Sequence, residues 1–446
     1  MRLLDSVLKG AFENGRLAVI DTEGRHYSYG GAGPGPHVTI RFTDPAAPRR
    51  ILLNPELGAA EAYMDGAMLV EEGSVHDLMR LFFLNKRQFD MTPGQRFWRG
   101  VHRRLRRFQQ NNVIARARQN ARAHYDIGDE VYRTFLDRDM QYSCGYFREP
   151  GLPLDAAQLA KKRHIAAKLG IRDGQRVLDI GCGWGGLALY LAHLADVEVL
   201  GVTLSERQHR LAVARAERLG VADRVRFERR DYREVEGGFD RVVSVGMLEH
   251  VGAHFLPAYF RIVHDRLRAG GLALIHAIGT RAAPGATSPF LRRYIFPGGY
   301  APSLSESVAA VERSGLWTLD CEIWRSHYGL TLRAWRHRFA ERRAKVAARM
   351  GERFCRMWEL YLSGCECAFL EGPSMVFQLQ LGRERDAAPL VRDYVMEETK
   401  RIARADAAFA DRVAATAWEC LDGAPLPATM RQSRAAGAGL GGAAGV

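Results

Sequence analysis

Five short strand-like runs alternate with helix-like runs between residues 176 and 279, and that alternation restricts the fold more than any other feature of the chain. RVLDIGCG (176–183) reads as a buried strand entering a glycine-rich loop, with GLALYLAHL (186–194) as the helix behind it. VEVLGVTL (197–204), RVRFERRD (224–231), FDRVVSVG (239–246) and GLALIHAIG (271–279) read as four further strands. A helix over 205–219 opens at Ser205, whose hydroxyl suits an N-cap. Repetition of β-α-β units predicts an α/β fold: a doubly wound, Rossmann-like parallel sheet with its ligand at the carboxyl ends of the strands.

The loop itself narrows the ligand. In VLDIGCGWGG (177–186) Asp179 ends the strand, and Gly181, Gly183 and Gly185 let the backbone approach a bound molecule. The pattern is D-x-G-x-G-x-G, whereas dinucleotide folds use G-x-G-x-x-G. A carboxylate before the glycines suits a cationic amine and repels a pyrophosphate, so the loop favours S-adenosylmethionine over a dinucleotide. After the second strand, GVTLSERQ offers Thr203, Leu204 and Gln208 to the ribose side, with Glu206 as an alternative. After the third, RDYRE places Asp231 to read an adenine amino group and Tyr232 to stack. The N-P-P-Y motif of amino-group methylation is absent after the fourth strand, where VGMLEHVG stands. A nucleic-acid methyltransferase is therefore disfavoured.

The flanking segments read differently. Residues 1–90 mix strand-like HVTIRF (37–42) and RILLN (50–54), a Gly/Pro loop GGAGPGP (30–36) and a helix over 56–68, the pattern of a small α+β accessory domain. Residues 91–125 hold nine Arg and no Asp or Glu. Phe97, Val101, Leu105 and Phe108 fall on one face there, predicting a basic amphipathic linker helix. Its competing readings are a surface for anionic headgroups and an internal packing helix. Beyond the sheet, 279–302 reads as a long loop ending in FPGGYAP. A helix (303–314), a strand (316–324), two long helices (about 330–350 and 352–371) and a last strand (374–381) follow. Residues 383–446 form an extension with one helix near 395–420 and a low-complexity tail.

A net charge of +13 favours a polyanionic partner without choosing between nucleic acid and membrane. No binding module accompanies the charge, which argues against nucleic acid. Seven irregularly spaced cysteines fit a reducing cytoplasm, and the lone C-x-C at Cys365 and Cys367 predicts no metal site. No apolar run of an export signal opens the chain, and nowhere do 18 apolar residues follow one another. A membrane partner would be met from its surface.

Five motifs then coincide in order: HYDIGDEVYRTFLDRDMQYSCGYF (124–147), GVTLSERQ, VSVGMLEHVG (243–252), YIFPGGYAPSLSE (294–306) and SHYGLTLRAW (326–335). Together, over about 115–382, the chain resembles the cyclopropane-fatty-acyl-phospholipid synthase family, which includes the mycolic acid cyclopropane synthases. ELGAAEAYMDG in residues 1–90 is similar to the accessory domain of its phospholipid-acting members. The resemblance implies a class I methyltransferase domain over 126–382 behind a lipid-binding domain over 1–90. It implies methyl transfer from S-adenosylmethionine to a cis alkene of a phospholipid acyl chain, a carbocation on that chain, and ring closure after bicarbonate removes a proton. It implies that Cys144, Glu249, His276, Ile278 and Tyr328 hold the bicarbonate, that Tyr142 and Ser143 meet the cofactor's carboxylate end, and that Cys365 matches a recurring family cysteine. That Cys has no role as a nucleophile in such a mechanism and reads as helix core, with a catalytic role as the alternative. It further implies an enzyme on the inner face of an anionic membrane, and allows a homodimer. Methyl transfer ending in a branched or methylene product is the second reading, and a silent lipid-binding protein a third that the intact glycine loop opposes. One departure is HYGLTL, where the family often has H-Y-A-x-T-L.

Overall fold

The computed structural model describes residues 1–91 and 127–423. The basic segment falls almost wholly between these ranges and the low-complexity tail after them, so both expectations lie outside the described residues.

The N-terminal part is a four-stranded sheet in the order β2-β1-β3-β4, from β1 (Asn14–Ile20), β2 (His26–Gly30), β3 (Gly33–Phe42) and β4 (Met68–Glu72). Two local expectations are corrected there. GGAGPGP is mostly strand, because β3 starts at Gly33 and pairs with β1. A Cβ at Gly35, within β3, would collide with the backbone of Gly15, so this glycine permits close pairing, and the loop shrinks to Gly31 and Ala32. RILLN is helical within Ala47–Leu53. Asp44 starts that helix by accepting from the Ala46 amide at 2.8 Å, Pro48 sits in its first turn, and Arg50 returns to Asp44 at 2.7 Å. The Asp44 turn and Pro48 outweigh the strand-like bias of the run.

The larger part is built on seven strands: β5 (Arg176–Ile180), β6 (Glu198–Val202), β7 (Val225–Glu228), β8 (Phe239–Val245), β9 (Leu267–Thr280), β10 (Trp317–Trp324) and β11 (Ser374–Gly382). Their order is β10-β11-β9-β8-β5-β6-β7. Adjacent strand residues point to opposite faces. Val177, Val243 and Leu274 pack under helices Leu154–Leu169, Gly186–Leu194 and Glu206–Leu219. Leu178, Val242 and Ala273 pack under helices Leu256–Arg266 and Leu304–Glu312. The sheet is doubly wound, as expected, and mixed where a wholly parallel sheet was expected: β11 runs antiparallel to both β9 and β10. The cause is the connection. Helices His327–Met350 and Glu352–Leu370 are joined by Gly351 (φ 81°) and return the chain to the end of the sheet it left. The strand that follows must run backwards.

The single helix expected near 395–420 is two, Tyr394–Ala405 and Ala410–Leu421, broken at Asp406. The Asp406 carboxylate is buried and takes Arg163 Nε and Nη2 at 2.7 Å each and the Tyr190 hydroxyl at 2.6 Å. The chain turns there to deliver that carboxylate to two sheet-covering helices. The N-terminal part meets the larger one through Arg80–Glu371 (3.0 Å), Arg353–Asp65 (2.8 Å) and the Tyr294 hydroxyl on Glu61 (2.7 Å). Glu61 lies in ELGAAEAYMDG and Tyr294 in YIFPGGY, so the accessory helix grips the long loop directly. Among the described residues no helix is long and apolar enough to cross a membrane.

Candidate active site

One cavity opens at the carboxyl ends of β5, β6 and β8. Of the eleven residues expected to hold a cofactor, ten line it: Tyr142, Ser143, Asp179, Gly181, Gly183, Thr203, Leu204, Gln208, Asp231 and Tyr232. Gly185 serves behind the wall. Its φ is 83°, and a Cβ would come within 2.7 Å of the Phe227 ring, so this glycine lets helix and sheet pack closely. Gly181 (φ 80°) sits against Met247, where a Cβ would be 2.9 Å from Cγ. The Gly181 and Cys182 amides both donate to the Val202 carbonyl, at 2.9 and 3.0 Å, and fasten the loop to β6.

The polar groups of the cavity are unequally engaged. Thr203 Oγ1 donates to Gln208 Oε1 at 2.9 Å, and Ser205 caps its helix as the sequence predicts. Asp231 is already bound on both oxygens by Arg233, at 2.8 and 2.7 Å, and caps the turn Tyr232–Glu234. Tyr232 packs edge-on against Tyr259 at 5.4 Å. Glu206 is exposed and pairs with Arg229 at 3.0 Å. Asp179 differs from these. It is 2% exposed, its Oδ2 has no hydrogen-bond partner, and burial pushes its carboxyl up to about 7. A buried acid in that condition asks for a cationic ligand.

Three residues of the second expected group, Glu249, His276 and Ile278, lie beside this cavity at the ends of β8 and β9. Gly246, Met247, His250 and Val251 line the cavity, while Glu249, in the same turn, reaches to the end of β9. Its Oε1 accepts from the Ile278 amide, its backbone carbonyl accepts from the Tyr300 amide at 2.8 Å, and its Oε2 is buried without a partner. Burial pushes the Glu249 carboxyl up to about 7. Ile278 thus supports Glu249 directly. His276, two residues earlier and on the same strand face, is held through Nδ1 by Gln378 at 3.1 Å and packs edge-on to Trp324 at 4.9 Å. Burial holds its pKa well below the usual histidine value, so the ring is neutral. Cys144 is buried in a loop tied to helix His327–Met350 by the Gly145 amide on Thr331 Oγ1 (3.0 Å), and its thiol is raised by burial. Tyr328 lies in the same apolar cluster as Cys144, packed on Phe369 and Trp335.

Cys365 stands on helix Glu352–Leu370 against that cluster, and burial pushes its thiol up to about 12, which leaves it protonated and unreactive. Tyr300 spends its hydroxyl on Glu306 at 2.5 Å. Among the described residues no group of three His, Cys, Asp or Glu could hold a metal.

Sequence reasoning did not single out Gln141, Lys161, Trp184, His250 or Phe296, all of which line the cavity. Gln141 and Trp184 adjoin predicted residues, and Phe296 lies in the FPGG loop. Lys161 carries no local signal, since it sits mid-helix in a charged run, AKKRH.

The family model described as Mycolic acid cyclopropane synthetase matches residues 113–379, and one described as a domain of unknown function matches residues 3–92. The chain is 36% identical over 360 residues to the cyclopropane-fatty-acyl-phospholipid synthase of Escherichia coli K12, covering 77% of this chain and 87% of that protein. It is also 36% identical over 351 residues to a probable fatty acid methyltransferase of Pseudomonas putida, covering 76% and 86%. The solved structure of mycolic acid cyclopropane synthase CmaA1 complexed with SAH and CTAB superimposes with a TM-score of 0.55 at 30% identity, over 59% of this chain and 97% of that one.

Proposed function

The chain belongs to the mycolic acid cyclopropane synthetase family, and from that membership we propose that it converts cis double bonds of phospholipid acyl chains to cyclopropanes with S-adenosylmethionine as methyl donor. The observation that carries this reading is the pairing of two sites at one sheet edge. A cavity with an unpartnered buried Asp179 adjoins a buried Glu249 whose Oε2 is also unpartnered. The first fits a cofactor with a cationic amine, and the second fits a small hydrogen-bonding oxyanion in its protonated form. S-adenosylmethionine, when bound, supplies an electrophilic methyl group. Bicarbonate, held by Glu249, His276, Cys144 and Tyr328, would supply the base for ring closure.

This chain's residues have definite tasks in that scheme. Asp179 orients the amine of the cofactor. Glu249, fixed by the Ile278 amide, presents Oε2 to accept a proton-bearing oxygen. Neutral His276, set by Gln378, offers Nε2 without placing a second charge in the site. Tyr328, Trp335, Tyr142 and Tyr361 pack together as an aromatic cluster with Tyr142 on the cavity wall, and would exclude water beside a developing cation. No catalytic thiol is required, which agrees with the protonated state of Cys365.

Residues 1–90 act as an accessory lipid-binding domain, with 91–125 as the basic linker, 126–382 as the catalytic domain and 383–446 as an extension. The enzyme works at an anionic bilayer from the cytoplasmic side. Changing Arg103, Arg104, Arg106 and Arg107 together to Gln should weaken binding to vesicles containing anionic lipid and flatten its salt dependence. Co-sedimentation at two ionic strengths measures this, and unchanged binding assigns the segment to internal packing.

The product decides the reaction. Purified protein incubated with S-adenosylmethionine and vesicles of a cis-monounsaturated phospholipid should yield acyl chains heavier by one methylene, with the alkene lost and no methyl branch, by mass spectrometry. The same mass gain with an alkene retained moves the chain to methyl-branching chemistry. No gain, with cofactor bound, rejects phospholipid alkenes as the substrate.

A further inference from the structure

Three lysines on helix Leu154–Leu169 are almost wholly buried: Lys161 at 1%, Lys162 at 2% and Lys168 at 0% exposure. A buried ammonium is costly unless paired. Lys162 pairs with Asp139 at 2.7 Å, and Lys168 with Asp320 and Glu322 at 3.1 and 2.5 Å. Lys161 has no carboxylate within ion-pair distance among the described residues. Its Nζ donates to two neutral acceptors, Gln141 Oε1 and Ser143 Oγ, each at 2.7 Å, and it lines the cavity. Two of its three hydrogens are thus used to fix its position, and one remains.

On the same cavity wall stands the opposite case, Asp179, a buried carboxylate with Oδ2 unpartnered. No ion pair joins the two, yet the Lys161 charge is the one that draws the Asp179 carboxyl down against burial. A cavity presenting one buried ammonium hydrogen-bonded only to neutral acceptors and one buried carboxylate with an unpartnered oxygen complements a ligand carrying both charges a short distance apart. An α-amino acid end is such a ligand.

We propose that Lys161 binds the α-carboxylate of the cofactor's amino-acid end while Asp179 binds its amine, so that the pair reads a zwitterion. Ser143 and Gln141 are then the seat of Lys161 as well as walls of the cavity. The inference rests on reading the cavity as the S-adenosylmethionine site.

The test is a cycle that removes the carboxylate from the ligand and the ammonium from the protein. Calorimetric affinities are measured for S-adenosylhomocysteine, its decarboxylated analogue and 5′-methylthioadenosine, on the parent and on Lys161→Met. The parent should prefer S-adenosylhomocysteine over the decarboxylated analogue by roughly 10- to 100-fold, the range for a buried charged hydrogen bond. In Lys161→Met that preference should collapse to about threefold or less, with the affinity for 5′-methylthioadenosine unchanged. Lys161→Gln is carried alongside so that a folding defect in one variant does not decide the matter. A preference that survives both substitutions overturns the inference. A parallel fall for all three ligands overturns it too, because it assigns Lys161 to support of the fold. If the parent binds none of the three, the cavity reading fails first and this inference with it.

Discussion

Glu249→Gln should lower turnover on unsaturated phospholipid by about 100-fold or more and leave the affinity for S-adenosylhomocysteine within about threefold of the parent. Gln keeps the shape of the side chain and can still accept from the Ile278 amide through its carbonyl oxygen. The change falls on Oε2, which is buried without a partner and becomes an amide NH2 that donates where an acceptor is needed. The cofactor cavity is lined by Met247, His250 and Val251 from this turn and not by Glu249, so the two sites should separate in the measurement. Steady-state rates and calorimetry on the same preparation test this. Unchanged turnover would remove Glu249 from the chemistry.

The same substitution has a signature in stability. Burial pushes the Glu249 carboxyl up to about 7 from 4.5. A carboxyl raised on folding favours its protonated form in the native state. Its contribution is fully present below pH 4.5 and is lost as pH rises through 7, because the native state binds more protons than the unfolded one over that window. Gln cannot ionise. Glu249→Gln should therefore raise the thermal midpoint of the ligand-free protein at pH 8 relative to the parent, with a much smaller difference at pH 4.5. An equal shift at both pH values would mean that repacking, not ionisation, sets the effect.

The sheet was legible in the sequence because its strands are short apolar or alternating runs bounded by turn residues, and because Ser205 and the glycines mark the ends of their elements. The cofactor cavity was legible for the same reason: in this fold it forms at strand ends, and strand ends are what such patterns locate. The direction of β11 was not, because strand polarity depends on how many helices precede it and how they pack. RILLN was misjudged because residue type was weighed above the Asp44 and Pro48 that start a helix there. Lys161 was invisible, since a lysine in AKKRH differs from its neighbours only in which carboxylates the fold brings near.

The C-terminal extension also gained meaning only from the fold, and Arg215 shows what it does. This side chain is fully buried. Its Nη1 donates to the Trp184 carbonyl in the glycine-rich loop at 2.8 Å, and its Nη2 pairs with Asp139. Its Nε donates to Thr416 Oγ1 and its Nη2 to the Val413 carbonyl, both at 3.0 Å and both in the extension. One guanidinium therefore ties the last helix to the loop that shapes the cofactor cavity. Arg215→Ala takes a donor from the Trp184 carbonyl and opens a void, while the Val413 carbonyl keeps the Thr416 hydroxyl at 2.6 Å and Asp139 keeps Lys162 at 2.7 Å, so neither is left bare. Removing one partner of a buried pair costs about 3–5 kcal/mol, and the retained lysine places this case near 3. Thr416→Val leaves the Val413 bond to Arg215 in place but strips Nε of its acceptor and the Val413 carbonyl of the Thr416 hydroxyl, and should cost about 1–3 kcal/mol. Urea titrations should show the larger variant unfolding at a clearly lower midpoint, with a weaker affinity for S-adenosylhomocysteine in what remains folded. A loss below about 1 kcal/mol for Arg215→Ala would show that the helix holds its place by apolar packing of Val413 and Ala417, and that the extension does not brace the loop.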